Sequence, residues 1–262
     1  MRLTYLGHST VLLELDGVRV LTDPLLRGRF LHVERRVPPV DLDSVRDVDL
    51  VLISHAHHDH LDRPSLRMLG HRPSTILPRR ALGLVDGLGL GPVEELEAGD
   101  ELRWRGLHIT ATHADHRPGR LLHRGPAPIG FMLAGTSRVY FAGDTDLFGG
   151  MRDLGSAGVD VALLPVWGWG PQIGRGHLDP RKAAEALSML RPRVAIPIHW
   201  GTFYPLGLRR FRPHLLTEPP LAFAREAART AAGVEVRVLA PGESTTIGPS
   251  SEPDDAAPRH SN

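Results

Sequence analysis

The sequence predicts an α/β fold in which two β-sheets are covered by helices, within one domain over residues 1–248. Short apolar runs separated by turn residues predict a strand-rich first part. Later in the chain, strand-like runs alternate with segments of helical spacing, which predicts helices packed on a sheet. With 41% apolar residues, the 262-residue chain can bury a sizeable core, which excludes a disordered scaffold as the main interpretation.

The first part of the chain is dominated by predicted strands. Asp16-Gly17 is a strong hairpin signal between two of them, and the apolar run 48–53 indicates a strand buried on both faces. The arginine-rich stretch 25–47 contains many turn residues and is predicted to be a long loop. Strands are predicted over 3–7, 11–15, 18–21, 48–53, 75–77, 101–105, 107–112, 129–133, 139–142, 159–166, 194–198 and 234–239.

Helices are predicted where capping residues precede periodic apolar positions. A short helix follows Asp62, and the clearest helix begins at Asp179-Pro180, with apolar residues at helical spacing up to Leu190. A third helix is predicted over 221–232, ended by Gly233 as its C′ residue.

Composition excludes several classes of site. The chain has no cysteine, which excludes disulfides, thiol catalysis and iron–sulfur clusters, so any metal must be held by His, Asp or Glu. A net charge of +1 does not favour nucleic-acid binding. No apolar run has the length of a membrane span and the first residues lack a signal-peptide pattern, so we expect a cytoplasmic protein. Residues 249–262 are expected to form a disordered tail.

The segment Ser54–His60 carries the strongest chemical signal. Four of the 15 histidines lie in the six positions 55–60, directly after the buried strand. His55 and His57 are two residues apart, so both can face one point in extended backbone, while Asp59 and His60 can face a second point after a turn. Imidazole and carboxylate groups are common ligands of divalent transition metals. One loop can therefore offer four ligands to two metal ions.

The pattern His55-x-His57-x-Asp59-His60 resembles the signature motif of the metallo-β-lactamase superfamily. The other family motifs follow in order along the chain, so that the resemblance spans residues 1–242. It implies an αββα sandwich of two mixed β-sheets flanked by helices. The segments that carry the later motifs are Thr112–His116, Ala142–Thr145 and Pro197–Trp200.

The resemblance also implies a dinuclear metal site. Zinc is the expected metal, and manganese or iron suits the same nitrogen and oxygen ligands. His113 is an alternative to His116, because the two histidines are three residues apart and His113 falls where the family has a proline. The implied ligands are His55, His57 and His116 for one metal, Asp59, His60 and His199 for the other, and Asp144 as the bridge.

The function implied by the resemblance is hydrolysis of a phosphoester, lactone or related ester by attack of metal-bound hydroxide. Asp59 would orient the hydroxide, and His177 is the candidate that assists the leaving group. A closer similarity, to the ascorbate-6-phosphate lactonases and the N-acyl-phosphatidylethanolamine phospholipase D enzymes, is carried by Gly7–Thr10, Thr22–Pro24, Pro165–Gly170 and Gly176–Pro180.

Several assignments stay open in the sequence. His8 either lies near the site or bonds to the backbone, and Asp23 either forms a turn or holds a metal-binding histidine. His177 could instead have a packing role at the start of its helix. Trp167 and Trp169 could edge a cationic mouth that favours an anionic substrate, or the arginines could form an ordinary solvated surface. Those arginines are Arg27, Arg29, Arg35, Arg36, Arg117, Arg120 and Arg124.

Two other functional classes compete with the hydrolase hypothesis. One is a metal-binding scaffold or sensor without turnover, which the complete ligand set disfavours. The other is an RNA-processing nuclease, which the near-neutral charge disfavours. We expect a small-molecule substrate and no nucleic-acid partner, and the sequence makes no prediction of the oligomeric state.

Overall fold

The computed structural model describes residues 1–116, 125–208 and 210–248. The strands in these ranges are β1 (Arg2–Gly7), β2 (Thr10–Leu15), β3 (Val18–Thr22), β4 (Arg29–Phe30), β5 (Val33–Arg35), β6 (Leu50–Leu52), β7 (Ser74–Pro78), β8 (Val93–Leu96), β9 (Glu101–Trp104), β10 (Leu107–His113), β11 (Ile129–Ala134), β12 (Arg138–Phe141), β13 (Val161–Pro165), β14 (Val194–Ile198), β15 (Phe203–Pro205), β16 (Glu235–Val236) and β17 (Ser244–Thr246). The helices are α1 (Arg63–Met68), α2 (Met151–Ser156), α3 (Pro180–Leu190) and α4 (Glu218–Thr230), with 3-10 turns at Leu42–Val45, Leu82–Leu84 and Pro213–Leu216.

Two large mixed sheets form the centre of the molecule. The first has the strand order β17-β1-β2-β3-β6-β7-β8, and the second has the order β16-β14-β13-β12-β11-β10-β9. A small third sheet, β15-β5-β4, joins the 25–47 segment to residues far along the chain. In the described ranges, no helix combines the length and apolar character needed to cross a bilayer.

Alternate residues of the first sheet face two different apolar layers. In β6, Leu50 and Leu52 belong to the large core shared with the second sheet, whereas Val51 packs in a separate cluster with Leu66 of α1. Helices α3 and α4 pack against each other and add their buried side chains, such as Phe223, to the large core. The layers are therefore helix, sheet, sheet, helix, which confirms the predicted αββα sandwich.

The segments that carry the predicted ligands all follow the carboxyl ends of strands. Strands β3 and β6 run parallel to each other, as do β12, β13 and β14. Strand β1 runs antiparallel to β2, which runs antiparallel to β3, so β1 ends at the same edge as β3. The same double reversal aligns β10 with β12. The segments after these strands therefore meet at one end of the sandwich.

Two backbone hydrogen bonds join the first sheet to the second at this end. The backbone N–H of His199, after β14, donates to the carbonyl of His8 at 2.7 Å. The N–H of Ile129, in β11, donates to the carbonyl of Ser54 at 3.0 Å. His8 and His199 both adopt positive φ, 58° and 62°, a strained conformation for a non-glycine residue. The backbone conformation is therefore closely constrained at the end of the sandwich that holds the predicted ligands.

The predicted hairpin is confirmed, since Asp16 (φ 52°) and Gly17 (φ 78°) form the turn between β2 and β3. The prediction of a plain loop over 25–47 is wrong, because β4 and β5 form there and β5 pairs with β15. Strands of two or three residues have too little periodicity to be recognised from sequence.

The end of the chain also differs from the prediction. Helix α4 ends at Thr230 with Ala231 as its cap, and Gly233 has no positive φ, so Gly233 is not the C′ residue. Only Glu235–Val236 of the predicted strand 234–239 is a strand, and β17 pairs with β1 instead. The expected tail, 249–262, lies outside the described residues.

We predict that Gly143→Ala destabilises the fold next to the site. Gly143 has φ +60°, and a Cβ there would lie 2.6 Å from Ser54 Cβ, so the free energy of unfolding should fall by about 2 kcal/mol or more. Gly149→Ala is the control, since a Cβ at Gly149 meets nothing within 4 Å and should change stability by less than about 0.5 kcal/mol. Urea denaturation measures both, and equal effects would contradict this account of Gly143.

Candidate metal centre

Three imidazole nitrogens converge where β6 and β10 end. His57 Nδ1 lies 2.9 Å from His55 Nε2 and 3.1 Å from His116 Nε2. Nitrogens that bind one zinc ion tetrahedrally at about 2.0–2.1 Å are separated from each other by about 3.3 Å. The spacing of the three rings therefore suits a shared cation.

A second group of potential ligands lies beside the first. His60 Nε2 is 3.2 Å from His199 Nε2, and the Oδ2 atom of Asp59 is 3.6 and 3.7 Å from these two nitrogens. His8 belongs to the same cluster, with its Nε2 3.0 Å from Asp59 Oδ2. These ligand atoms come from the loop after β6, the β1–β2 turn and the end of β14.

Asp144 lies between the two groups. Its Oδ2 atom is 3.3 Å from His60 Nε2 and 3.9 Å from His55 Nε2, while Oδ1 is 3.3 Å from His199 Nε2. Among the described residues, Oδ1 has no hydrogen-bond partner although the side chain is buried. A buried carboxylate oxygen without a hydrogen bond is costly, and a cation at this position would satisfy it.

Asp23 sets the orientation of two of the rings. Its Oδ2 accepts from His60 Nδ1 at 2.6 Å and from the Ser54 hydroxyl at 2.6 Å, while Oδ1 accepts from the Ser54 backbone N–H. Because the hydroxyl proton of Ser54 goes to Asp23, Ser54 Oγ accepts from His55 Nδ1 at 3.0 Å. Both Nδ1 atoms therefore carry the proton, and both Nε2 lone pairs face the site.

Two backbone carbonyls do the same for the other rings. His116 Nδ1 donates to Gly176 O and His199 Nδ1 donates to Trp167 O, each at 2.8 Å. The Nε2 atoms of His60 and His199 then face each other at 3.2 Å, and without a proton on either atom two lone pairs meet. Such a pair repels unless a cation lies between the atoms, so the donor set fits a metal ion.

The charges of the site also favour a cation. Burial lowers the pKa of His55 well below its usual value and that of His57 to about 4, so these rings are neutral, as metal ligands must be. Burial opposes ionisation of Asp59 and Asp144, but the nearby histidines outweigh it and hold both pKa values well below the usual range. At His60 burial lowers the pKa, but the carboxylates of Asp144, Asp59 and Asp23 outweigh it and raise the pKa well above its usual value, so positive charge is favoured at this point of the site.

Two hydrogen-bond donors hold the Asp59 carboxylate in place. Trp169 Nε1 donates to Asp59 Oδ2 at 3.1 Å, and His8 Nε2 lies 3.0 Å from the same oxygen. Burial lowers the pKa of His8 to about 3, so the neutral ring carries its proton on Nε2 and donates it to Asp59. His8 and Trp169 thus fix one carboxylate oxygen in place.

His177 lies above Asp144 at the edge of an open cavity. Its Nε2 is 3.3 Å from Asp144 Oδ2, and its Nδ1 is 3.2 Å from Gly174 O. Burial lowers the pKa of His177, but the bond to Asp144 outweighs it and raises the pKa overall. The cavity has a volume of about 330 Å³ and is lined by Phe30, Leu31, His57, His58, Asp59, Asp144, Gly168, Trp169, Gly170, Gln172, Ile173, Gly174, His177 and His199.

The structure brings all seven predicted metal ligands and His177 together, and it adds His8 and Asp23, which sequence left open. His116 lies in the cluster, whereas His113 is exposed and packs edge-on against Phe148. The roles of Ser54 and of the carbonyls of Gly176 and Trp167 were not predicted. A carbonyl is present in every residue, so those two acceptors leave no signal in the sequence.

The arginines of the 25–47 segment do not form the cationic mouth that is one of the two alternatives left open by the sequence. Arg27 binds both oxygens of Asp62, Arg35 donates to the carbonyls of Leu6 and Pro38, and Arg36 pairs with Glu34. None of them, nor the exposed Arg29, lines the cavity. Hydrogen bonds and ion pairs to other parts of the fold hold these arginine side chains, which a count of arginines in the sequence does not reveal. Arg117, Arg120 and Arg124 lie outside the described residues.

Comparison with known proteins shows the family of the chain. Residues 18–200 match the model of the "Beta-lactamase superfamily domain". The chain is 39% identical to a UPF0173 metal-dependent hydrolase from Opitutus terrae over 94% of this chain and 100% of that protein. It is 34% identical to one from Methanopyrus kandleri over 93% and 99%. Igni18, a metallo hydrolase from Ignicoccus hospitalis, has a solved structure with a TM-score of 0.70 and 27% identity, covering 94% of this chain and 98% of that one.

We predict that Asp23→Asn weakens both the fold and metal binding. Asparagine has one acceptor oxygen in place of two, so in either orientation its NH2 group faces at least one buried donor, the Ser54 backbone N–H or the Ser54 hydroxyl and His60 Nδ1. The free energy of unfolding should fall by about 2–4 kcal/mol, and metal affinity by about 10-fold or more. Denaturation and metal titration measure these effects. Asp47→Asn is the control, because that side chain is 82% exposed, and equal losses in both variants would contradict the role of Asp23.

Proposed function

The chain belongs to the β-lactamase superfamily and is similar to UPF0173 metal-dependent hydrolases, and we propose that it is a dinuclear enzyme that cleaves esters. It uses two divalent metal ions, with zinc as the expected metal, to hydrolyse a phosphoester, lactone or related ester of a small molecule. The closer resemblance to lactonases and phospholipase D enzymes stays a prediction.

The position of Asp144 is the observation that carries this proposal. Its Oδ2 atom lies 3.9 Å from His55 Nε2 of the first ligand group and 3.3 Å from His60 Nε2 of the second, while Oδ1 lies 3.3 Å from His199 Nε2 of the second. A carboxylate that reaches both groups could bridge two ions. We therefore assign His55, His57 and His116 to one metal, Asp59, His60 and His199 to the other, and Asp144 as the bridge.

Bound divalent metal supplies Lewis acidity, which activates water and stabilises the negative charge that develops during ester cleavage. Asp59 contributes an ionised carboxylate whose Oδ2 is fixed by His8 and Trp169. A carboxylate held this way keeps its free oxygen in one position, so it orients the attacking water without rearranging during the reaction.

His177 acts as the proton donor in this proposal. Both of its ring nitrogens face acceptors, Asp144 Oδ2 and Gly174 O, so the doubly protonated ring satisfies both bonds. The ring lines the cavity, where a leaving group would depart. His177 gives its Nε2 proton to the oxygen of that leaving group.

The bridge is tested by metal content. Protein purified without a histidine tag and saturated with zinc should contain two equivalents per chain, and Asp144→Ala should contain one or fewer. Asp153→Ala, at an exposed position on α2, is the control and should keep both ions. Elemental analysis gives the count, and two ions retained by Asp144→Ala would remove the bridging role.

The proton donor is tested by turnover. The zinc-loaded protein should hydrolyse p-nitrophenyl esters or bis-p-nitrophenyl phosphate, and a chelator should abolish the reaction. His177→Ala should lower kcat by about 10²-fold or more at unchanged metal content. His113→Ala is the control, since His113 is exposed and outside the cluster. Unchanged kcat in His177→Ala would contradict proton donation, and hydrolysis that survives metal removal would contradict the proposed function.

A further inference from the structure

The side chains that line the cavity beside the metal centre are of two chemical kinds. Some belong to the metal centre, including His57, Asp59 and His199. Four others are apolar or aromatic: Phe30, Leu31, Trp169 and Ile173. We call these four residues the apolar wall.

The wall is a packed structure with its own core. Trp169 packs edge-on against Phe30 with ring centres 6.1 Å apart, and Phe30 packs against Phe203 at 5.2 Å. Leu25 and Val33 complete this small cluster, which is separate from the two larger cores. The short β4, β5 and β15 strands carry Phe30, Val33 and Phe203. The small third sheet therefore serves to hold an apolar surface next to the metal centre.

The wall is also fixed to the catalytic groups. Trp169 Nε1 donates to Asp59 Oδ2 at 3.1 Å, so the indole ring extends directly from a proposed metal ligand into the cavity. A group that rests on this ring has its reacting atoms within reach of the metal centre. The wall is thus positioned to bind the substituent adjacent to the bond that is cleaved.

The glycines in the 168–174 loop leave part of the cavity free of side chains. A Cβ at Gly168 would lie 3.5 Å from Ile173 Cγ2 and 3.8 Å from His199 Cε1. A Cβ at Gly174 would lie 3.9 Å from His177 Cε1. Side chains at these positions would fill the cavity, whose volume of about 330 Å³ is in the range of small-molecule sites.

The charged side chains that line the cavity disfavour an anionic substituent on the apolar wall. Among the described residues that line it, none is a lysine or an arginine, while Asp59 and Asp144 are carboxylates. Lys182, on α3, is engaged with both oxygens of Asp146. A negatively charged group on the wall would lose water without gaining a lysine or arginine partner among the described residues that line the cavity.

From these observations we propose that the apolar wall binds an uncharged aryl or branched alkyl group of the substrate, next to the ester that the metal centre cleaves. The proposal rests on the proposed function, because it names the substrate class of the same site. It predicts a substrate whose substituent on the wall is uncharged and apolar, and it excludes one with a carboxylate or phosphate on that substituent.

The test compares two metal-anchoring ligands that differ in their tails. Benzohydroxamate and succinic acid monohydroxamate share the group that binds metal, but one carries a phenyl ring and the other a carboxylate. Calorimetry on the zinc-loaded protein should show that benzohydroxamate binds about 10-fold or more tightly, as expected for burial of a ring. Equal affinity, a preference for the carboxylate, or no binding of benzohydroxamate would overturn the proposal.

Variants of the wall make the test specific. Ile173→Glu and Leu31→Glu should each abolish the preference at unchanged metal content, and Leu31 is 63% exposed, so that variant is expected to fold. Leu221→Glu is the matched control, because Leu221 is 48% exposed on α4 and outside the cavity. A preference retained in both wall variants would overturn the assignment of these residues.

Hydrolysis of p-nitrophenyl benzoate by the same preparations separates the two proposals. Selective binding of benzohydroxamate without cleavage of any ester supports the wall and contradicts the proposed function. Cleavage of p-nitrophenyl benzoate and of a carboxylate-bearing ester at equal kcat/KM supports the proposed function and overturns the wall.

Discussion

The arrangement of the site depends on one electrostatic constraint: the Nε2 lone pairs of several buried histidines are forced to face one another. The outward nitrogens of His55, His60, His116 and His199 donate to fixed acceptors, so in each neutral ring the inward nitrogen carries a lone pair. Inward-facing lone pairs at about 3 Å repel unless positive charge lies between them. The carboxylates of Asp59 and Asp144 face the same space, so the protein is organised around a cation rather than around direct contacts between its side chains.

The fold supplies this arrangement by bringing strand ends from two sheets together. The first sheet contributes the Ser54–His60 segment and Asp23, and the second contributes His116, Asp144 and His199. A sandwich of two sheets would tolerate small shifts of one sheet over the other, but the bond from His199 N–H to His8 C=O ties the loops at this end. The positive φ values of His8 and His199 are stabilised by that tie and by burial. Both of these strained residues lie where the placement of ligands matters.

Much of this could be predicted from sequence, for identifiable reasons. The ligands lie in short motifs that follow apolar runs, so their types and order are visible locally. Asp16-Gly17 and Asp179-Pro180 directly mark a hairpin turn and a helix start. What could not be predicted depends on partners far along the chain. Strand β5 forms because Phe203–Pro205 pairs with it. Arg27 forms an ion pair with Asp62, 35 residues away. The choice between His113 and His116, and the apolar character of the cavity, likewise emerge only when the loops meet in space.

The most direct test of the central claim is anomalous diffraction at the zinc edge from crystals grown with zinc. The account predicts two peaks about 3.5–4 Å apart, one among the ring nitrogens of His55, His57 and His116 and one beside Asp59, His60 and His199, with a carboxylate oxygen of Asp144 facing each. A single peak, or a metal held by His8 or His113 in place of these ligands, would contradict it.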